Sequence, residues 1–328
     1  MTLRSDGELV WEARAGSLRR RVDHLAVEEP LEIRCRMPGQ PLAGKEASAR
    51  GEGGRGGGGG PDGPGGAGGA SGDTASAVTL TVTMRTPGHD FELAAGFLVS
   101  EGIVDSREDL RTVAYCTDAD LDAIQRYNVV TAELAHAPVR GVTARLLPTS
   151  SSCGLCGAAS IEALRAEGHP VIASGPLVTW DVLASVPSLL ERGQGKFRST
   201  GGIHGAALIS PEGRVLVTRE DIGRHNAVDK VVGWAILNGR FPLDDVLLAV
   251  SGRSSFEILQ KALRAGIGFV AGVSAASNLA VSVAEIENVT LVGWLRGERC
   301  TIYTHPERVL LADGSRRAET RNKAHRGE

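Results

Sequence analysis

The chain has 328 residues, of which 42% are hydrophobic and 23% are charged, a composition typical of a soluble globular protein with room for two domains. Its net charge of −3 argues against a general nucleic-acid-binding protein, which would carry a basic excess. No apolar run is long enough for a membrane span or a signal peptide, and five sparse cysteines make no disulfide framework, so we expect a cytoplasmic protein with reduced thiols.

The first part of the chain predicts a small α+β domain. Residues 1–20 are polar, give no firm element and are expected to be flexible. Asp90 is a plausible N-cap for a helix over 91–99. Strands are predicted within 23–36 and at 78–84, 111–116 and 127–134. Since 14 of the 22 residues from 51 to 72 are glycine, we expect a disordered insertion over 40–76 inside one N-terminal domain, 21–148.

A Cys-x-x-Cys motif, Cys153 and Cys156, lies in a Ser- and Gly-rich loop near the middle of the chain. A helix predicted over 158–165 follows it, which would place both sulfurs at a helix N-terminus, where the macrodipole favours a thiolate. The pattern alone leaves open a zinc half-site, a thioredoxin-like dithiol, a persulfide carrier or two packed thiols. Cys35, Cys116 and Cys300 stand alone, and the first two are expected to be packed thiols, so a nucleophilic sulfur is the favoured interpretation.

Beyond residue 200, apolar strands alternate with polar loops and helices. We predict a hairpin (206–209 and 215–217), strands at 246–250, 269–273, 290–294 and 300–303, and helices over 227–237, 256–265 and 279–287. This alternation is typical of an α/β domain with a mostly parallel sheet, which we place at 149–312. A disordered basic tail is predicted over 313–328.

The polar loops of this second half predict a ligand site. In parallel sheets, ligands bind beyond the carboxyl ends of the strands, where helix N-termini point. Backbone N–H groups, hydroxyls and arginines in these loops suit an anionic phosphorylated ligand, although no Walker A or Gly-x-Gly-x-x-Gly pattern is present. The loop 220–226 concentrates ionisable groups, which favours a functional role over a structural one.

In their order along the chain, these motifs resemble those of the formate dehydrogenase accessory sulfurtransferase family, FdhD. The resemblance runs from about Val22 to Leu310 and is interrupted by the Gly-rich insertion. The matching segments are 152–157, 200–204, 219–230, 251–257 with Lys261 and Ala262, 279–281, 290–293 and 302–304. Two features depart from the family: the insertion, and Ser-Ala-Ala-Ser-Asn at 274–278, where Ser-Ala-Pro-Thr is usual.

The resemblance implies a sulfur carrier that forms a homodimer. A cysteine desulfurase of the IscS type would load a persulfide onto Cys153, with Cys156 assisting. The sulfur would pass to the molybdenum of bis(molybdopterin guanine dinucleotide) before that cofactor enters formate dehydrogenase. The C-terminal domain would have a cytidine-deaminase-like α/β/α fold, and the protein itself would hold no metal. The residues expected to bind the cofactor are Gly202, His204, Asp221, Arg224, His225, Ser251, Arg253, Cys300, Thr301, Ile302, Tyr303, Thr304 and His305.

Three alternative functions remain open at this stage. A zinc deaminase would need His-x-Glu or Cys-x-Glu ahead of Pro-Cys-x-x-Cys, whereas His305-Pro306-Glu307 follows the cysteines and no proline immediately precedes Cys153. A cofactor chaperone would bind the guanine dinucleotide without moving sulfur. A dithiol oxidoreductase would form a stable Cys153–Cys156 disulfide.

Overall fold

The protein's structure, a computed structural model, describes residues 7–38, 77–116, 127–138 and 169–311. The Cys153–Cys156 loop, the helix predicted at 158–165, the insertion at 40–76 and the tail at 313–328 lie outside the described residues. So does the proposed domain boundary near residue 148, and the division into two domains stays a prediction. None of the described helices is both long and apolar enough to cross a membrane.

The described elements alternate along the chain. The strands are β1 (Glu8–Arg14), β2 (Ser17–Asp23), β3 (Glu29–Arg36), β4 (Val78–Arg85), β5 (Leu110–Tyr115), β6 (Val129–Leu134), β7 (Val178–Thr179), β8 (His204–Ile209), β9 (Val215–Asp221), β10 (Leu247–Val250), β11 (Phe269–Gly272), β12 (Thr290–Arg296), β13 (Arg299–Ile302) and β14 (Val309–Leu310). The helices are α1 (Asp90–Ser100), α2 (Trp180–Gly193), α3 (Gly195–Thr200), α4 (Arg224–Leu237), α5 (Phe256–Arg264) and α6 (Asn278–Ile286). Short 3-10 turns cover Arg107–Asp109 and Pro306–Arg308.

An exposed hairpin, β1–β2, begins the described chain. The expectation that residues 1–20 form no element is therefore wrong from Glu8 onward, because β1 and β2 pair from Glu8 opposite Asp23 to Arg14 opposite Ser17. Ala15 and Gly16 make the turn with φ of 43° and 85°. Ion pairs of Glu12 with Arg19 and Arg21 cross between the strands, and neither face of the hairpin is buried.

A four-stranded sheet, in the order β4-β3-β6-β5, packs against α1. Asp90 is the first residue of α1 and not its N-cap, which is His89. The reason is a buried ion pair: the Asp90 carboxylate lies 3.0 Å from the guanidinium of Arg85, and both side chains are 2% exposed. The Tyr115 hydroxyl also donates to Asp90, at 2.9 Å.

A six-stranded sheet, in the order β13-β12-β11-β10-β8-β9, forms the larger part of the protein. Strands β10, β11 and β12 are parallel, whereas β8, β9 and β13 pair antiparallel with their neighbours. The α/β class is confirmed, but the predicted mostly parallel sheet is corrected to a mixed one. The hairpins β8–β9 and β12–β13 add antiparallel pairs, and β8 also runs antiparallel to β10. The likeness to cytidine deaminases stays a prediction.

Helices cover both faces of this sheet. Leu248, Val250 and Val270 face the core that contains α4, α5 and α6, while alternate residues such as Ala249 and Phe269 face α2. Burial on both faces explains why β10 and β11 are continuous apolar runs. Helix α2 was not predicted from the sequence, and it contains Pro187, a residue that disfavours helix interiors.

The two sheets meet through the crossing of α1 and α4, where glycines allow close backbone contact. A Cβ added at Gly96 would overlap the carbonyl oxygen of Asp229, and one added at Gly233 would overlap that of Glu92. One apolar core continues across the crossing, from Ile33 in the four-stranded sheet to Leu248 in the six-stranded sheet.

Candidate functional site

Three loops meet at one edge of the six-stranded sheet, where β9, β10 and β11 end and α4, α5 and α6 begin. The loops after β10 and β11 hold each other, since Ser254 N donates to Ala275 O and Ser277 N donates to Ser254 O, each at 3.0 Å. The N-termini of three helices therefore point to this edge, as the sequence predicts.

Asp221 fixes the loop between β9 and α4. Its carboxylate accepts hydrogen bonds from Gly223 N (2.9 Å), Asn226 Nδ2 (3.0 Å) and Thr86 N (3.1 Å), and it lies 2.7 Å from Lys230 Nζ. Asp221 is 0% and Lys230 1% exposed. With its oxygens occupied inside the protein, Asp221 has a positioning role in place of the predicted ligand contact.

His204, Arg224 and Ser251 come together at the first residue of β8. Ser251 Oγ accepts a hydrogen bond from Gly205 N at 2.9 Å. A Cβ added at Gly252 would lie 3.3 Å from His204 Nδ1 and 3.5 Å from Arg224, so glycine here lets the loop pack closely on both side chains. Burial, reinforced by the Arg224 charge, lowers the pKa of His204, which favours a neutral imidazole.

A cavity of about 540 Å³ lies beside this cluster, on the α2 side of the sheet. Of the predicted residues, it is lined by Gly202, His204 and Ser251. Its other walls come from α2, α3 and nearby loops, which no sequence motif connects with the site. They include Leu190, Gln194, Phe197 and Val273. The Gln194 side chain is buried, and its amide Nε2 has no hydrogen-bond partner in the described part of the chain.

His225 lines a second cavity, of about 150 Å³, on the α1 side. Its Nε2 lies 3.9 Å from Glu257, and burial together with Arg224 and Lys261 lowers its pKa to about 4. Deeper in this cavity, Lys261 Nζ contacts both carboxylate oxygens of Asp229 at 2.7 Å. Burial raises the pKa of the Asp229 carboxyl, whereas the positive charge of Lys261 acts to lower it.

Several buried polar atoms at this edge make no hydrogen bond within the described residues. Within the described residues, Arg224 Nε, His225 Nε2 and Ser254 Oγ are buried without a hydrogen bond. Buried polar atoms are normally paired, so these positions favour a bound polar ligand. Arginine, neutral imidazole and helix N-termini together suit an anionic ligand such as a phosphorylated cofactor. Arg253, in the same loop, is exposed.

The stretch Cys300–His305 does not join this cluster. It includes most of the edge strand β13, which β12, β11 and β10 separate from β8, a distance of about 19 Å at the usual strand spacing. Cys300 and Thr301 lie toward the carboxyl edge of the parallel strands. Ile302 and Tyr303 follow beside β12, whereas Thr304 is buried and His305 pairs with Glu307 (3.1 Å) near the opposite edge.

The described cysteines are poor candidates for a reactive thiolate. Cys35 and Cys116 are buried, as predicted, and burial raises the pKa of Cys35 to about 11. Burial also raises the pKa of Cys300. Among the residues that the structure describes, no group of three or more histidine, cysteine or acidic side chains is arranged to hold a metal ion. The predicted nucleophiles, Cys153 and Cys156, lie outside those residues.

Comparison with known proteins gives one consistent family. A model described as the FdhD/NarQ family matches residues 75–310. The chain is 50% identical over 234 residues to the "Sulfur carrier protein FdhD" of Mycolicibacterium paratuberculosis, covering 70% of this chain and 86% of the relative. It is 42% identical over 307 residues to the protein of the same name from Nocardia farcinica, covering 93% and 94%.

A solved structure shows the same fold at low sequence identity. This is the crystal structure of a candidate formate dehydrogenase accessory protein from Desulfotalea psychrophila, with a TM-score of 0.64 and 21% identity. The match covers 94% of this chain and 100% of that one. At this identity the likeness supports the fold alone.

Proposed function

Because this chain belongs to the FdhD/NarQ family, we propose that it is a sulfur carrier that serves a formate dehydrogenase. The observation that carries the proposal is the 42% identity, over 93% of the chain, to a relative named as a sulfur carrier. The proposed client, a formate dehydrogenase, follows from the resemblance of the motifs at 152–157, 200–204 and 219–230 to those of the formate dehydrogenase accessory sulfurtransferase family.

We assign the carrier role to Cys153. Its thiolate attacks the outer sulfur of a persulfide on an IscS-type cysteine desulfurase, so that a new S–S bond forms on Cys153 and the desulfurase cysteine leaves as a thiolate. Release of that sulfur as sulfide needs two electrons. Cys156 supplies them by attacking Cys153 to form a disulfide, which a cellular thiol then reduces.

The proposed sulfur acceptor is bis(molybdopterin guanine dinucleotide), bound as a substrate. An anionic dinucleotide fits the helix N-termini and Arg224, together with His225 Nε2 and Ser254 Oγ, which make no hydrogen bond within the described residues. The residues Gly202, His204, Ser251 and Arg253, which we propose also contact this substrate, lie at the same edge of the sheet. The proposal also includes contacts between this substrate and the stretch Cys300–His305. It includes the assembly of the chain into a homodimer as well.

Mass spectrometry of the intact protein tests the carrier role. After incubation with an active cysteine desulfurase and cysteine, we expect wild-type protein to gain one sulfur that a reductant removes. Cys153→Ala should gain none, whereas Cys300→Ser, which changes a half-buried thiol of raised pKa, should behave as wild type. A wild-type protein that gains no sulfur would contradict the proposal and favour a cofactor chaperone.

A further inference from the structure

The β1–β2 hairpin has two unlike faces. Leu9 lies opposite Val22, Trp11 opposite Arg20 and Ala13 opposite Leu18, so these side chains share one face, which we call the Trp11 face. Its large apolar members are strongly exposed: Leu9 58%, Trp11 61%, Leu18 68% and Val22 58%. Exposed apolar side chains gathered on one face are typical of a contact surface.

The opposite face neutralises its own charges. It carries the three carboxylates of the hairpin, Glu8, Glu12 and Asp23, since their positions alternate with those of the Trp11 face. Arg19 Nε lies 2.5 Å from Glu12, and Arg21 Nη1 lies 3.0 Å from Asp23. Two of the hairpin's arginines are thus paired, on the side away from Trp11.

The Trp11 face instead holds one cation. The guanidinium of Arg20 lies 4.8 Å from the centre of the Trp11 ring. Across the described residues, no carboxylate forms an ion pair with Arg20. Tryptophan and arginine surrounded by aliphatic side chains are the residues that contribute most to binding energy in protein interfaces.

The base of this hairpin lies beside the candidate site. The chain leaves β2 at Asp23, and a Cβ added at Gly202 would lie 3.6 Å from Ala26 Cβ. Gly202 lines the 540 Å³ cavity together with His204 and Ser251. The segment that leaves the hairpin therefore lies against a residue that lines the cavity, which links a protein docked on the hairpin to the candidate site.

We propose that the Trp11 face docks the apoprotein to which this site delivers its ligand, through an apolar patch with a carboxylate opposite Arg20. That apoprotein is the client formate dehydrogenase, an identification that rests on the proposed function. A second copy that docks through the same face fits less well, since that face carries no carboxylate to pair with Arg20. An anionic membrane also fits less well, because carboxylates already neutralise Arg19 and Arg21.

Binding of the full-length protein to the client formate dehydrogenase, purified without its molybdenum cofactor, tests this surface. We expect Arg20→Glu to weaken binding about tenfold or more, since it opposes the partner's carboxylate, and Trp11→Ala to weaken it similarly. Arg14→Glu is the matched control, with the same charge change on the opposite face, and should alter the Kd less than about twofold. Circular dichroism confirms that each variant is folded.

Other outcomes would overturn the proposal. The first two are that Arg20→Glu and Arg14→Glu weaken client binding equally, or that the wild-type protein does not bind the client. The third is a dimer, seen by sedimentation, that Arg20→Glu or Trp11→Ala dissociates. The fourth is binding to phosphatidylcholine–phosphatidylglycerol vesicles that depends on Arg20. Persulfide loading of Arg20→Glu, measured in parallel, separates the two proposals. Normal loading with unchanged client binding contradicts only the docking surface, while absent loading of wild-type protein contradicts only the carrier role.

Discussion

At the scale of single residues, His225 links the stability of the fold to pH. Its pKa is about 4 in the folded protein, below the ordinary value of 6.5, because burial and the neighbouring Arg224 and Lys261 disfavour the charged ring. Between these two values the unfolded chain binds more protons than the folded one, so the free energy of unfolding falls as pH drops from 6.5 toward 4.

We therefore expect His225→Gln to flatten this acid dependence. In urea unfolding at pH 7 and pH 4.5, wild-type protein should lose up to about 3 kcal/mol more stability on acidification than His225→Gln does. His89, which is 52% exposed, offers a control in His89→Gln. An unchanged pH dependence in His225→Gln would contradict the assignment.

The buried pair of Asp221 and Lys230 gives a second prediction. Lys230→Met leaves the Asp221 carboxylate buried without its cation, and we expect a loss of about 3–5 kcal/mol in urea unfolding. The double variant Asp221→Asn, Lys230→Met removes both charges and should recover part of that loss. A single variant as stable as wild type would show that the carboxylate does not depend on Lys230.

The sequence correctly indicated that some residues lie at the site, but it did not indicate what each of them does there. The ionisable loop 220–226 drew attention to Asp221, Arg224 and His225, and the structure places all three at one edge. It could not show that Asp221 is buried, because its partner Thr86 lies 135 positions away in the chain. Gln194 had no recognisable motif and joins the cavity only through the packing of α2.

At the scale of elements, the crossing of α1 and α4 depends on glycine. We expect Gly96→Ala to cost about 3 kcal/mol or more, because its Cβ would overlap the backbone of Asp229 and force the helices apart. Gly195→Ala is the control, since its Cβ would meet only Arg198 Nη2, at 3.9 Å, and it should be neutral or slightly stabilising. Thermal unfolding of both variants checks the difference, and a neutral Gly96→Ala would refute this account of the crossing.

Elements with strong hydrophobic periodicity were predictable from the sequence. The strand expected at 246–250 is β10, Leu247–Val250, and the helix expected at 256–265 is α5, Phe256–Arg264. The direction of the strands was not predictable from the sequence, because the antiparallel pairing of β8 with β10 depends on contacts between distant segments. The β1–β2 hairpin was missed since its charged residues occupy strand positions.

At the scale of the whole molecule, one continuous core predicts cooperative unfolding. Ile33 in β3 is fully buried in the core that also contains Leu248 of β10. We expect Ile33→Ala to lower the free energy of unfolding by about 2–4 kcal/mol, equally in both sheets. Hydrogen exchange followed by mass spectrometry checks this, because peptides from β4 and from β11 should lose the same protection. Loss confined to β3 and β4 would instead support separate domains.

Thr86 has a consequence for the order in which the protein is made. It donates its amide to Asp221 and its hydroxyl group accepts from Ile222 N, while its carbonyl accepts from Lys230 Nζ, 144 positions later in the chain. At ordinary translation speeds of about 5–20 residues per second, the ribosome needs roughly 7–30 s to synthesise that interval. For most of that time α1, which ends at Ser100, exposes the surface that α4 later covers. Chaperones that bind apolar nascent segments should therefore associate with the segment that carries α1 and dissociate once Lys230 has emerged.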